Sequence, residues 1–515
     1  MAVDPVRLEV FQHLLAAVCE ESGALLRRTA ISPNIRERLD FSCALFDAEA
    51  RLVAQAAHIP VHLGSAADSV RAAVAALDFE PGDVAILNDP YAGGTHLPDV
   101  TMVRPIFLDS KRRPRFFAVN RAHHADIGGS VPGSMGVAAD LIAEGLVIPP
   151  IKWRTADGHN RDIVTLLIAN VRAPGERLVD FQAQDASLLL AERRMAKLVD
   201  EHGLSTTRAY CGHLMDYSER IAASVIAKIP KGEFKAEDRM ADDGMGNGPF
   251  TIRLSVRNRG GRLLFDFRGS SPEAAGGINA NRSIVLSACV YVLRCLCPGR
   301  LPTNEGLFRR IEIKTDRGSI VDPRPPAPVA GGNVETSQRL VDVALSALSR
   351  ALPDIIPAAS AGTMSNLTLG NREFTFYETL PGGAGAGPKV SGVSGVQTHM
   401  TNTRNTPVEE LEQQYPVEVC SLTIRRNSGG RGKHRGGDGI VKELRLLAPA
   451  VASVFADRHE EGPPGLRGGA EGKTGRIQLT RDGRTRRLAS KGSTDLRTDD
   501  VLRVETPGGG GWGKR

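Results

Sequence analysis

Aromatic residues make up only 5% of this chain of 515 residues, so its cores are not built around ring packing. The seven cysteines are odd in number and dispersed, and none forms a CxxC pair. That spacing argues against a zinc ribbon or a disulfide framework, and the lone Cys295-Leu296-Cys297 reads as buried thiols near a helix end. No apolar run approaches the ~18 residues a membrane span needs. The opening MAVDPVRLEVF lacks the basic-then-apolar layout of a leader. The expectation is a reduced, soluble, cytoplasmic protein. Charge of one sign is also scarce in excess: 65 Lys and Arg against 59 Asp and Glu give +6. The two densest basic runs, residues 424–437 and 481–492, contain no aromatic residue to stack on a base, which argues against nucleic acid.

Several catalytic signatures are missing too. There is no GxxxxGK[ST], no strand–GxGxxG–helix unit and no GxSxG elbow, and no serine or cysteine triad assembles. PGGAGAG (381–387) lacks the flanking strand and helix of a nucleotide loop and offers at most an anion nest.

What is abundant is glycine, 55 residues, which points to loops and close backbone approaches. Asp4 and Pro5 open an amphipathic helix with Leu8, Phe11, Leu15, Val18 and Leu25 on one face. Strand-like segments follow at 41–47, 83–89, 100–108 and 115–124, with a helix at 65–77 between them. Residues 160–230 read as helical, one long helix ending on Gly203. The runs FTIRLSVRN and RLLFDFRG form a hairpin over a Gly-Gly turn, and helices are expected at 284–296 and 337–352. Beyond Pro353 the chain reads as β-rich and loop-rich, and the closing TPGGGGWGKR is too glycine-rich for a strand. The fold class is mixed α/β (α+β) and multi-domain. An N-terminal α/β region (1–160) carries the candidate site, followed by a helical segment (161–235), a second α/β region (236–355) and a β/loop-rich C-terminal region (356–515).

The chemistry concentrates in GGTHLPDV and NRAHHADIGG. His96 and Asp99, three apart in a turn, can converge on one ion, and the strand at 115–124 can return beside Asp99 to deliver a histidine. Two imidazoles and a carboxylate suit Zn, Mn or Fe with positions left open. An ion there lowers the pKa of a bound water and polarises a carbonyl. Adjacent histidines on a strand face opposite ways, so only one of His123 and His124 is an easy ligand. His124 and Asp126 are then further ligands, orienting groups or proton carriers. Asp40, just before a strand, either faces the same cleft or pairs with Arg36 or Arg38. His58 and His62 line that cleft or, the plainer role, cap the helix after it. The competing reading is that the cluster only satisfies loops and braces the fold.

These motifs, together with RERLDFSCALFD, HIPVHLGS, DFRGSSP, NEGLFRRIEI, GNVETSQRL, VQTHMTNTRNTPVEELE and TPGGGGWG, resemble the hydantoinase B/oxoprolinase family over essentially the whole length. The resemblance implies a B-type subunit that works with a hydantoinase A-type ATPase partner of actin-like ancestry in a hetero-oligomer. ATP is used by that partner, and the pair opens a small cyclic amide such as a hydantoin, 5-oxoproline or a lactam. The related alternative is a subunit of an acetone-type carboxylase. In the carboxylase relatives a His-x-x-Asp pair and one later His hold a metal, which carries over to His96, Asp99 and His123. Asp40, Asp126 and His124 remain for proton transfer. His124 departs from the carboxylase pattern and the chain is shorter than that subunit, both of which favour the hydrolase branch.

Overall fold

Asp4 accepts a hydrogen bond from the Val6 amide at 2.9 Å, Pro5 sits in the first turn, and the N-terminal helix runs Pro5–Thr29. This is a computed structural model describing residues 3–514 apart from 57–58, 110–112, 298 and 300. The helix buries Phe11, Leu15, Val18 and Leu26 against a seven-stranded sheet and the long helix Pro174–His202. Each such side chain contributes roughly 1.5–3 kcal/mol by leaving water.

The sheet consists of β1 (Phe41–Asp47), β2 (Leu52–Gln55), β3 (Val84–Leu87), β4 (Asp99–Ile106), β5 (Phe116–His123), β6 (Ile151–Thr155) and β7 (Gly158–His159), in the order β2-β1-β5-β4-β3-β6-β7. Its neighbours are all antiparallel. Both faces are covered, which is why β4 and β5 are buried along their whole length. Val100, Met102, Phe116, Ala118 and Ala122 face the two long helices, whereas Val103, Phe117 and Val119 face the helix Ala66–Ala76. The period of two therefore puts Asp99, Thr101, Arg121 and His123 on the second face. Asp99 pairs directly with His123 across the β4–β5 ladder, so the returning strand does deliver it.

A second sheet orders Ile311–Lys314, Arg262–Asp266, Phe250–Arg259 and Glu233–Met240, and packs with the helices Arg282–Leu296 and Ser337–Ser349. The expected Gly-Gly hairpin is here, with Gly260 and Gly261 both at positive φ. Two further antiparallel sheets form the C-terminal part, one running through Asn366–Gly370 and Thr375–Thr379 and the other through Ile440–Leu446 and Val501–Glu505. They share one apolar core. The architecture is α+β with four sheets. Among the described residues no helix is long and apolar enough to cross a membrane, and no disulfide forms. Of the CxC pair, Cys297 is buried but Cys295 is exposed, a correction to the expectation of two buried thiols.

The glycine content has a structural cause. Segments 358–361, 382–387, 392–396, 429–437, 463–472 and 507–513 lie against one another and exchange backbone hydrogen bonds without forming strands. The amides of Gly508, Gly509, Gly510 and Gly511 donate to the carbonyls of Lys473, Gly437, Ala359 and Ala470 in turn. The direction changes at each residue and returns to the same neighbour after three, the repeat of a polyproline II helix with its polar groups shared between chains. A Cβ on Gly437 would lie 1.9 Å from the Val393 oxygen, and one on Gly509 2.1 Å from the Ala384 oxygen. PGGAGAG belongs to this array and not to an anion nest.

Candidate metal centre and its surroundings

The turn that carries His96 is shaped by backbone contact. Gly93, at φ +91°, and Gly94 lie so close to the Asp68 and Asn88 backbones that a Cβ would come within 2.4 and 2.3 Å of them. The turn then places the His96 ring beside Asp99, with Nε2 3.2 Å from Oδ2. Oδ2 also receives a hydrogen bond from the Thr95 hydroxyl at 2.6 Å and one from Asn333 Nδ2 at 3.4 Å, and His62 Nε2 stands 3.3 Å away. The His123 ring lies 5.0 Å from that of His96 and stacks flat on Tyr377 at 4.5 Å and 5°. His62, Nδ1 of which is 2.9 Å from the Ser42 hydroxyl, thus belongs to the cluster and does not merely cap a helix. His58 lies outside the described residues.

All of these side chains except Ser42 are buried. Yet His96 Nδ1 and Nε2, Asp99 Oδ1, His123 Nε2 and Asn333 Oδ1 have no hydrogen-bond partner, the His96–Asp99 approach being poorly angled. An orphaned buried polar atom costs about 1–3 kcal/mol, so several in one place mark a site shaped for something besides the fold. Among the described residues no three His, Cys, Asp or Glu side chains are already disposed around one point to hold a metal ion. What is present is the donor chemistry: two imidazoles and a free carboxylate oxygen, the set that suits Zn, Mn or Fe. Asn34 faces His123 Nδ1 at 3.3 Å and takes a hydrogen bond from Arg38 at 3.3 Å.

Electrostatics follow from burial. Burial pushes the Asp99 carboxyl up, but the His96 and His62 imidazoles outweigh it and hold the group well below the usual carboxylate range. The His123 imidazole is driven well below its ordinary value, chiefly by burial and then by His96. Asp40 joins the same field. Its carboxyl is raised by burial, opposed by the Arg38 guanidinium 3.5 Å away, and it feels Asp99, His62 and His96. Of the two pairings open to it, Arg38 is the one that forms; Arg36 pairs with Glu37.

Two expected site residues stand elsewhere. His124 faces the opposite side of the sheet, stacked on Phe181 at 4.3 Å with Nε2 2.9 Å from Gln184 Oε1, and burial lowers its pKa to about 4. Strand alternation separates it from His123, so it serves the core and not the cluster. Asp126 organises its own loop. It accepts from the Gly128, Gly133 and Arg172 amides and pairs with the Arg172 guanidinium at 3.0 Å. With both oxygens engaged it is not placed to carry protons. The residues missed are Tyr377 and Asn333, both more than 200 positions from Asp99 in sequence.

The family model of hydantoinase B/oxoprolinase matches residues 4–515. The chain belongs to the hydantoinase B/oxoprolinase family. Within this family, 5-oxoprolinase 1 of Arabidopsis thaliana is 38% identical, the match covering 99% of this chain and 42% of that protein, so the chain spans well under half of that relative's length. The ATP-dependent caprolactamase from Pseudomonas jessenii superposes with a TM-score of 0.93 at 28% identity, over 100% of this chain and 92% of the other. Acetone carboxylase in its nucleotide-free structure shares the fold, with a TM-score of 0.89 at 18% identity over 99% and 76% of the two chains.

A hydrogen-bonded chain links the cluster to the C-terminal sheets. The Tyr377 hydroxyl donates to Asn366 Oδ1 at 2.8 Å, and Asn366 Nδ2 donates to Glu335 Oε1 at 2.9 Å, while Glu335 Oε2 has no partner. Burial pushes the Glu335 carboxyl up to about 8 from an ordinary 4.5. The folded chain therefore holds this proton more tightly than the unfolded chain, and stability falls as pH rises across that window. Glu335→Gln keeps the oxygen that accepts from Asn366 Nδ2 and from the Met364 amide, and removes the titration. The variant is expected to match wild type near pH 4.5 and to exceed it by about 2–4 kcal/mol at pH 8 in urea unfolding. An equal slope in both proteins would mean that Glu335 is ionised in the fold.

Proposed function

We propose that this chain is the B-type subunit of an ATP-dependent cyclic amide hydrolase, completed by an A-type ATPase partner. The observation that carries the reading is the buried set of unpartnered donors on His96, Asp99 and His123, in a chain of this family. Further support comes from the names of its relatives, 5-oxoprolinase and ATP-dependent caprolactamase.

An unactivated amide is a poor electrophile, and its nitrogen is a poor leaving group. Phosphorylation of the amide oxygen in the partner would create a species that this chain receives in a site closed to water. His96, Asp99 and His123 would hold a divalent metal there, which supplies Lewis acidity and a water of lowered pKa. Thr95 and Asn333 fix the Asp99 carboxylate through Oδ2, leaving Oδ1 to the ion. Tyr377, stacked on His123, fixes the plane of that ring and keeps bulk water off it. Asp40, raised by burial and steadied by Arg38, is poised to take and return a proton at its carboxyl. His62, bridging the Ser42 hydroxyl and Asp99, orients both.

The test is to purify the chain with an A-type partner and supply ATP with 5-oxoproline, hydantoin or caprolactam. Ring opening coupled to ADP release, with about one transition metal per chain, is the expected result. Incorporation of labelled bicarbonate into the product instead would assign the carboxylase chemistry, and absence of any nucleotide-dependent product would sink both.

A further inference from the structure

The helix Ser337–Ser349 is preceded by a single π-helical turn, Gly332–Thr336. Such turns are costly insertions that concentrate at functional sites. This one is seated by close backbone contact: a Cβ on Gly332 would lie 1.7 Å from the Asn279 oxygen, and one on Gly331 2.2 Å from the Phe455 ring. It sends two buried polar side chains in different directions, Glu335 toward Met364 and Asn366, and Asn333 toward Asp99.

The orientation of the Asn333 carboxamide is fixed by chemistry. Its neighbour is a carboxylate, which only accepts, so Nδ2 is the atom that faces Asp99 Oδ2 at 3.4 Å. Oδ1 then sits on the other limb, buried and without a donor, in the side chain that touches Asp99. One N–H of Nδ2 is spent on Asp99, and the second remains. The free edge is one acceptor and one donor side by side. An amide closed in a small ring presents the complementary edge, because its N–H and C=O are held cis. A linear secondary amide, trans by several kcal/mol, presents them on opposite edges and cannot pair in this way.

Resting on the cyclic-amide reading above, we propose that Asn333 is the substrate-recognition residue that selects ring amides with a free N–H. Its Oδ1 accepts from the ring N–H, which an amide phosphorylated on oxygen keeps as the protonated imidate, while Nδ2–H meets the ring oxygen, which sets the ring carbon bearing that oxygen against His96, Asp99 and His123. The pairing also explains why the turn is irregular: a regular helix from residue 332 would change the direction of Asn333 relative to Glu335, and both have assigned partners.

The experiment compares 2-pyrrolidinone with N-methyl-2-pyrrolidinone in the complete complex, for wild type and Asn333→Leu, with metal content and binding of 2-pyrrolidinone to the chain measured alongside. Wild type is expected to favour the N–H lactam by about 10²-fold in kcat/KM, since a buried acceptor left unpaired discriminates strongly. Asn333→Leu is expected to bring that ratio within about 10-fold, mainly through KM and weaker lactam binding, with metal retained. If both lactams lose activity equally, or the metal is lost, Asn333 serves the ion or the fold and the proposal is overturned. If wild type opens lactams and the ratio survives the substitution, the proposal falls while the cyclic-amide reading stands. If wild type neither opens nor binds either lactam, the proposal falls, and ring opening of hydantoin or 5-oxoproline decides separately whether the cyclic-amide reading stands.

Discussion

Asp99→Asn is expected to empty the centre of metal and to lower kcat/KM by at least about 10³-fold, with the fold retained. The carboxylate lies between His62 and His96 and offers Oδ1 as its one unused oxygen. A carboxamide can put its oxygen where Oδ2 stands and keep the bonds from Thr95 and Asn333, so local packing survives. It cannot offer an anionic oxygen to an ion. Elemental analysis, the melting temperature and turnover of the complex read these effects separately. Metal and activity surviving together would remove Asp99 from the centre. A collapse of melting temperature along with activity would instead make the cluster a brace for the fold. His124→Ala is the internal control: stacked on Phe181 across the sheet, it is expected to cost stability while the metal stays.

The second large effect lies far from any chemistry. Gly385→Ala is expected to cost more than about 4 kcal/mol or to prevent folding, whereas Gly387→Ala, two residues along the same PGGAGAG run, is neutral or stabilises by about 0.4–1 kcal/mol. A Cβ on Gly385 would lie 1.8 Å from the Ala358 oxygen and 2.5 Å from its carbonyl carbon, atoms held in a backbone hydrogen-bond array that has nowhere to move. On Gly387 the nearest atom would be Val390 Cγ1 at 3.5 Å, ordinary contact. Urea unfolding of the two variants measures the difference. Equal, small losses would mean that the array is loose enough to absorb a methyl group, contrary to the packing described.

Periodicity made much of the first sheet legible. The strands at 41–47 and 115–124, the helix after Asp4 and the opposite facing of His123 and His124 all follow from local spacing that the folded chain preserves. His96 and Asp99 could be paired because a turn of three residues leaves little freedom. Asp126 was misread because a carboxylate among glycines looks the same whether it faces a cleft or, as here, satisfies its own loop. Asn333 and Tyr377 were not legible as site residues, since nothing local tells which distant turn or strand comes to rest on Asp99 and His123. GNVETSQRL contained the right residue, but its π-turn depends on tertiary contacts with Asn279 and Phe455. The glycine array left only a compositional trace: abundance showed that backbones approach closely, not which ones.

Arg38 meets Thr379 across 341 positions, Asn333 meets Asp99 across 234, and Gly508–Gly511 tie together segments made long before them. In kinetic terms, contacts of such separation are entropically late events, formed after the local hairpins and helices. During synthesis the histidine-bearing turn before β4 and the end of β5 emerge first and wait, unfinished, for residues 333 and 377 to arrive. The consequence is a built-in delay. The buried cluster of Asp99 and His123 cannot close until Asn333 and Tyr377 have been made and have folded back on it, so its completion belongs to the later stages of folding.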